Sequence, residues 1–248
     1  MTTSPPESKD AFLLSIVVPA YNEERRLPES LPHIISFVRQ QEYPIEVVVV
    51  DDGSADRTAE IVREFQVHAP FLFLQQVEHG GKGHAVKAGM LHARGEFLFL
   101  CDSDLSMPIT EVSKFMPPAT ADYDVAIASR EVAGACRYNE PAYRHAMGRV
   151  FNLIVRLLAV RGINDTQAGF KCFRREAARQ IFQLQTIRGW GFDVECLFIA
   201  QRRGMCVVEV PIHWYYKERS QIRPIHDTYR MFVEVLNVRL NAWRGLYD

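Results

Sequence analysis

An α/β fold, with a mostly parallel sheet held between helices, is predicted by three features of this 248-residue sequence. Apolar runs rich in β-branched and aromatic residues recur through the first half: "LLSIVVPA", "IEVVVV", "FLFLQQV", "EFLFLC" and "DVAIAS". Stretches of helical period separate most of them, and polar clusters fall where the runs end. Strands that are apolar without alternation are buried on both faces, as in a parallel sheet covered by helices. In such sheets the ligand crevice opens beyond the carboxyl ends of the strands.

The elements follow in order. "LLSIVVPA" (13–20) reads as the first strand, and a helix follows through Leu27, Leu31, Ile34, Ile35 and Val38. "IEVVVV" (45–50) is a second strand ending at Asp51-Asp52, and "GSADRTAEIVREF" opens a helix with Ser54 or Asp56 as N-cap. "FLFLQQV" (71–77), a helix over "GHAVKAGMLHARG", "EFLFLC" (96–101) and "DVAIAS" (124–129) continue the pattern. The second half predicts a helix over 141–160, a loop or short strand over 165–172, and helices near 175–183 and 192–203. A late strand, "CVVEVPIHW", and an amphipathic helix from Thr228 to Trp243 complete it. Without repeats or a linker, the expectation is a disordered tail over 1–12 and one domain over 13–248, with halves 13–130 and 131–248.

Composition narrows the function. A formal charge of -1 gives no support for nucleic-acid binding. Five cysteines, an odd number without a C-x-x-C pair, argue for buried thiols in a reducing compartment rather than disulfides or zinc. The N-terminus is polar, and no run of apolar residues is long enough for a transmembrane helix.

Four clusters carry chemistry. In "PAYNEE" (19–24), Pro19 marks a strand end and Tyr21, Asn22 and Glu23 stand in the crevice as a stacking ring, an amide and a carboxylate; a capped loop is the plainer reading. In "VVVVDDGSADRT", Asp51 and Asp52 are placed to accept from a base N–H or a ribose hydroxyl, or to cap the helix. "EHGGKGHA" fits neither a Walker A loop nor a dinucleotide fingerprint. It presents Lys82 and backbone N–H groups at a helix N-terminus, as suits a pyrophosphate. In "CDSDLSMP", an extended backbone would aim Asp102 and Asp104 into one volume. Two carboxylates without His or Cys nearby suit Mg²⁺ or Mn²⁺, completed by substrate phosphates.

Taken in order, "IVVPAYNEE", "VVVVDDGSADRT", "HGGKGHAVKAG", "DSDLSMP", "ASR", "DTQAGFKCF" and "GWGFDVECL" resemble family 2 glycosyltransferases with the Rossmann-like GT-A fold. The last two motifs are most similar to the dolichyl-phosphate β-glucosyltransferase branch, related to dolichyl-phosphate mannose synthase. The resemblance, over about Ser15–Trp214, implies that Pro19, Tyr21, Glu23, Asp51, Asp52 and Lys82 hold the nucleotide. It implies that Asp102 and Asp104 hold the metal, and it sets Gln167, Lys171, Trp190, Asp193 and Glu195 on the sugar and acceptor side. Ser106 stands where mannose synthases have a metal-assisting Gln. "Ser220-Gln221-Ile222" replaces the usual Ser-Lys-Ile, with Lys217, Arg219 or Arg223 as substitutes. No N-terminal anchor of the kind frequent in that branch is read in the chain.

The expected reaction is inverting transfer of a hexose, foremost glucose, from UDP-glucose or GDP-mannose to a polyprenyl phosphate. An acceptor phosphate needs cations, and Arg130, Arg144 and Arg149 are the candidates. A hydroxyl acceptor would need a base, Asp165 or Asp193. Runner-up readings are a mannosyl donor, a hydroxyl-acceptor transferase, a non-catalytic nucleotide-sugar-binding protein and a nucleotidyltransferase. "YRHAMGRVFNLIVRLLAVRG" mixes arginines with apolar residues, as in a helix lying in a membrane interface or in an ordinary core helix. The first alternative predicts a cytoplasmic enzyme, peripheral on the inner membrane face.

Overall fold

The computed structural model describes residues 12–216 and 224–248, with side chains through 216 and from 230 onward. The expected tail up to residue 11, and Lys217, Arg219, Ser220, Gln221, Ile222 and Arg223, lie outside the described residues.

The first half is a run of strand–helix units: β1 (Leu14–Ala20), α1 (Leu27–Arg39), β2 (Ile45–Asp51), α2 (Thr58–Gln66), β3 (Leu72–Gln76), α3 (Lys82–His92), β4 (Phe97–Leu100) and, after a 3-10 turn over Ile109–Phe115, β5 (Val125–Ser129). The second half adds β6 (Cys136–Tyr138), α4 (Ala142–Leu158), β7 (Lys171–Arg174), α5 (Arg175–Leu184), α6 (Phe192–Arg202), β8 (Val207–Pro211), β9 (His213–Tyr215) and α7 (Pro224–Trp243). The central sheet runs β3-β2-β1-β4-β7-β5-β8, all parallel except β7, which is antiparallel to both neighbours. The segment expected as a loop or short strand thus supplies the antiparallel insertion. The late strand divides at Ile212 into β8, on the central sheet, and β9, which pairs with the unforeseen β6 in a second sheet.

Period-2 geometry explains why the inner strands are apolar throughout. In β1, Leu14, Ile16 and Val18 enter one core, with α1, α2 and the 3-10 turn, while Val17 enters the other. In β2, Val47 and Val49 face the first core, and Val48 and Val50 face the second, built with α3, α5, α6 and α7. Chain order reverses between β1 and β4, because β2 lies on one side of β1 and β4 on the other. That is the switch point where crevices open.

Two starting assumptions change here. Arg25 and Arg26 precede α1 rather than lying within it, and Asp56 lies before the first residue of α2. Asp56 still accepts the Thr58 N–H at 2.9 Å. β4 ends at Leu100, so Asp102 and Asp104 lie in a turn rather than in extended backbone. The turn is closed by Leu105 N donating to Asp102 O at 3.3 Å and Ser106 N donating to Asp104 Oδ1 at 2.8 Å. Leu105 takes φ +47° to make it.

Candidate active site

A cleft of about 1060 Å³ opens at the switch point, floored by Pro19, Tyr21 and Glu23 after β1, Asp52 after β2, the glycine loop before α3, and Asp102–Asp104 after β4. Tyr21 and His79 stack at 4.2 Å across its mouth. The two adjacent acids divide their labour. Asp51, the last residue of β2, is buried away from the cleft and accepts from Ser54 N at 2.9 Å and Gln76 Nε2 at 3.1 Å, so it shapes the turn rather than facing a ligand. Asp52 lines the cleft, and its carboxylate accepts from Gly80 N at 3.0 Å and Gly81 N at 2.8 Å.

The glycine loop is therefore not the open anion cradle that its composition predicts. Asp52 takes the Gly80 and Gly81 N–H groups, and Arg188 O accepts from Gly83 N at 2.7 Å and His84 N at 3.3 Å. What the loop offers is Lys82, whose Nζ lies 2.6 Å from Asp102 Oδ1. Burial works against the ammonium, but Asp102 and Asp193 outweigh it and raise its pKa, so Lys82 stays charged. Gly169, from "DTQAGF", is explained by proximity: a Cβ there would overlap Asp102 Oδ2. Glu23, raised by burial against the pull of Arg26 and Ser103, closes the floor beside Asp104.

Among the described residues no group of three or more His, Cys, Asp or Glu is arranged to hold a metal. Asp102 and Asp104 offer hard carboxylate oxygens and nothing else. This donor set fits a Mg²⁺-type ion that takes its remaining ligands from water and a substrate diphosphate.

Beyond Asp102 the segment Asp165–Gly169 leads to a basic cluster. Arg130 donates through Nε and Nη2 to Asp165 Oδ2 and Oδ1 at 2.7 and 2.9 Å, and its backbone N–H reaches the same carboxylate at 3.1 Å. Burial alone would raise the Asp165 carboxyl, but Arg130 prevails and holds it at about 2, down from 3.8. Trp214 carries Arg130 and Arg137 on its ring at 5.2 and 6.0 Å, and Tyr216 carries Arg144 at 5.2 Å. Arg137, unnoticed in the sequence, is tied to Glu131 and, at 2.6 Å, to Glu140. Arg149 pairs with Glu131 at 3.0 Å on the exposed side, so it braces the cluster rather than converging with Arg130.

Lys171 is buried between Ala168 O at 2.5 Å and Asp193 Oδ1 at 2.8 Å. Burial raises the Asp193 carboxyl against the pull of Lys171 and Lys82. Gln167 is half-buried beside Met231 of α7. Trp190 lies in the cleft with Lys82 Nζ 4.8 Å from its ring centre. Glu195 does not face the acceptor side. It is fully buried and accepts from Thr186 N, Thr186 Oγ1, Ile187 N and the Tyr247 hydroxyl, so it supports the loop that lines the cleft.

The far wall is a polar stripe of α7: Arg230, Glu234, Asn237, Asn241 and Arg244. Sequence reading missed it, although the spacing i, i+4, i+7, i+11, i+14 marks one helix face.

The family model for glycosyl transferase family 2 matches residues 15–182. A Trichomonas vaginalis dolichyl-phosphate beta-glucosyltransferase is 35% identical, covering 95% of this chain and 76% of its own. The human dolichyl-phosphate beta-glucosyltransferase is 33% identical, covering 93% and 77%. A crystal structure of Mycobacterium tuberculosis glucosyl-3-phosphoglycerate synthase with Mn²⁺, UDP and glucosyl-3-phosphoglycerate superposes with a TM-score of 0.65 at 19% identity, covering 93% of this chain and 79% of that one. That likeness supports the GT-A fold expected from the motifs. With the fold, the cleft at its switch point and the matched relatives in agreement, this chain belongs to glycosyl transferase family 2.

Proposed function

We propose that the chain transfers glucose from UDP-glucose to a dolichyl-type polyprenyl monophosphate with inversion, its two halves acting as one catalytic domain. One observation carries this reading. A cleft built for a nucleoside diphosphate lies on one side of Asp102, and an arginine cluster without a free general base lies on the other. The names of the matched relatives support the same donor and acceptor classes.

In this mechanism the donor base lies against Tyr21 and Asp52, and Lys82 turns from Asp102 toward the diphosphate. A Mg²⁺ or Mn²⁺ ion held by Asp102 and Asp104 would neutralise charge on the leaving diphosphate. The acceptor phosphate, with a second pKa of about 6, is mostly a dianion at neutral pH. Arg130 and Arg144 hold it while its oxygen bonds to the sugar's anomeric carbon and the bond to UDP breaks. No proton has to be removed, which is why a charged, paired Asp165 is acceptable beside the reacting atoms. Label from UDP-glucose, GDP-mannose and UDP-N-acetylglucosamine is offered in parallel with polyprenyl phosphate and Mn²⁺. Label enters the lipid phase from UDP-glucose alone. Transfer from GDP-mannose would make the donor a mannosyl one, and transfer only to water-soluble hydroxyls would overturn the acceptor.

A lipid acceptor requires contact with a membrane surface, which the proposal puts on the cytoplasmic side. No helix among the described residues is long and apolar enough to cross a membrane. Helix α4 departs from the core alternative, since only Phe151 and Val155 of it are buried. Val150 and Leu157 are 61% and 76% exposed, and the adjoining α7 exposes Leu240 and, at 80%, Trp243. With Arg149 and Arg156 beside them, these residues suit an interfacial face. Wild-type protein floats with anionic vesicles. The V150E/L157E variant stays at the bottom of the gradient and transfers about tenfold less to vesicle-borne acceptor, with UDP affinity kept.

A further inference from the structure

The turn from Arg188 to Gly191 brings Trp190 to the cleft and is fixed from three sides. Arg188 O is held by the first turn of α3, and Glu195 holds Thr186 and Ile187 from below. On the third side Glu234 of α7, whose Oε2 accepts the Gly191 N–H at 2.6 Å, reaches over from the polar stripe. Trp190 in turn lies 4.8 Å from Lys82 Nζ, which lies 2.6 Å from Asp102. One carboxylate of the last helix is thus connected, through a turn and a ring, to the cation of the donor site.

The glycines on either side of Trp190 mark the same contact. Gly191 has φ -73° and ψ -2°, a conformation open to any residue. What excludes a side chain is Glu234: a Cβ on Gly191 would come within 2.7 Å of the Glu234 Cβ, and one on Gly189 would overlap Glu234 Oε1. Burial raises the Glu234 carboxyl, against the pull of the Gly191 N–H and Arg230, so its place here costs stability. A group held at such a cost at the edge of a cleft marks a functional position.

We infer that Glu234 is a positioning residue for the donor site: it fixes the Gly189–Trp190–Gly191 turn, and through the Trp190 ring it holds Lys82 where a substrate diphosphate meets it. This rests on the reading of Lys82 as the diphosphate cation.

The test uses the full chain labelled with 5-fluorotryptophan, whose three tryptophans give separate ¹⁹F signals assigned by substitution. UDP with Mn²⁺ is the titrant. E234A shifts or broadens the Trp190 signal, leaves the Trp214 signal in place and weakens UDP binding about tenfold. E234Q keeps an oxygen for the Gly191 N–H and stays within about twofold of wild type. G191A pushes Glu234 aside and reproduces E234A, whereas E234A/G191A is no worse than E234A alone because both changes remove one contact. Should E234A disturb the Trp214 signal, and so the fold, G191A carries the same comparison. An unmoved Trp190 signal, unchanged UDP affinity, or E234Q as damaged as E234A would overturn the inference. If wild type binds no UDP while E234A still moves Trp190, the clamp on the turn stands and the proposed donor falls.

Discussion

Asp102→Asn lowers transfer by about a thousandfold, the largest loss expected of any single change on the cleft floor. The carboxylate has two roles that an amide cannot fill. Its Oδ1 balances Lys82 at 2.6 Å, and with Asp104 it supplies the protein's share of the metal's ligands. Losing one of only two carboxylates weakens the ion by about 10–100-fold, and the remainder of the effect is transition-state charge left without its counterpart. Asp104→Asn is milder, because the amide oxygen still accepts the Ser106 N–H that closes the turn. Lys82→Met falls about a hundredfold but keeps the wild-type dependence on Mn²⁺, since it removes a cation rather than a ligand. Titrating Mn²⁺ against kcat/KM separates the cases. An Asp102→Asn enzyme within tenfold of wild type at ordinary Mn²⁺ would remove Asp102 from the site.

The cleft floor was readable because strand ends are readable. Pro19, Asp52 and Asp102 each follow an apolar run, and parallel topology brings such ends to one edge. Even the division between Asp51 and Asp52 was available in principle. Asp51 is the last residue paired in β2, and neighbours along a strand point to opposite sides. What could not be read were partners far along the chain. Glycine content in "HGGKGHA" predicts open N–H groups, yet the carbonyl of Arg188, more than a hundred residues later, takes two of them. Helix α7 failed for another reason. Periodicity says which residues share a face, not what that face meets. Val235 and Val238 enter the core, Leu240 and Trp243 face outward, and the stripe from Arg230 to Arg244 lines the cleft. Asp193 and Glu195 have the same ambiguity on α6, where one faces a buried lysine by the site and the other faces a supporting loop.

Arg130→Ala reduces kcat/KM for polyprenyl phosphate by at least about a hundredfold, chiefly through the acceptor's KM, and leaves UDP binding near wild type. Arg130→Lys recovers little, because an ammonium neither stacks on Trp214 nor spans both oxygens of Asp165. The informative partner is Asp165→Asn. A general base works best with a pKa near the working pH, and a carboxyl held at about 2 is roughly five units away. Asp165→Asn therefore keeps more activity than Arg130→Ala and acquires no new pH limb. The acid limb near pH 6 belongs to the acceptor phosphate in both enzymes. Stability responds in the opposite order. A carboxyl depressed on folding stabilises above its unfolded pKa, and the contribution is lost as pH falls from about 4 toward 2. Asp165→Asn removes that acid-dependent loss but costs about 3 kcal/mol at neutral pH, because Arg130 is left with no paired carboxylate in a largely buried position. Denaturant unfolding at pH 7 and pH 3, set beside acceptor kinetics, measures both. If Asp165→Asn were inert while Arg130→Ala turned over normally, the carboxylate would be the base for a hydroxyl acceptor. A phosphate nucleophile, already ionised, predicts the reverse.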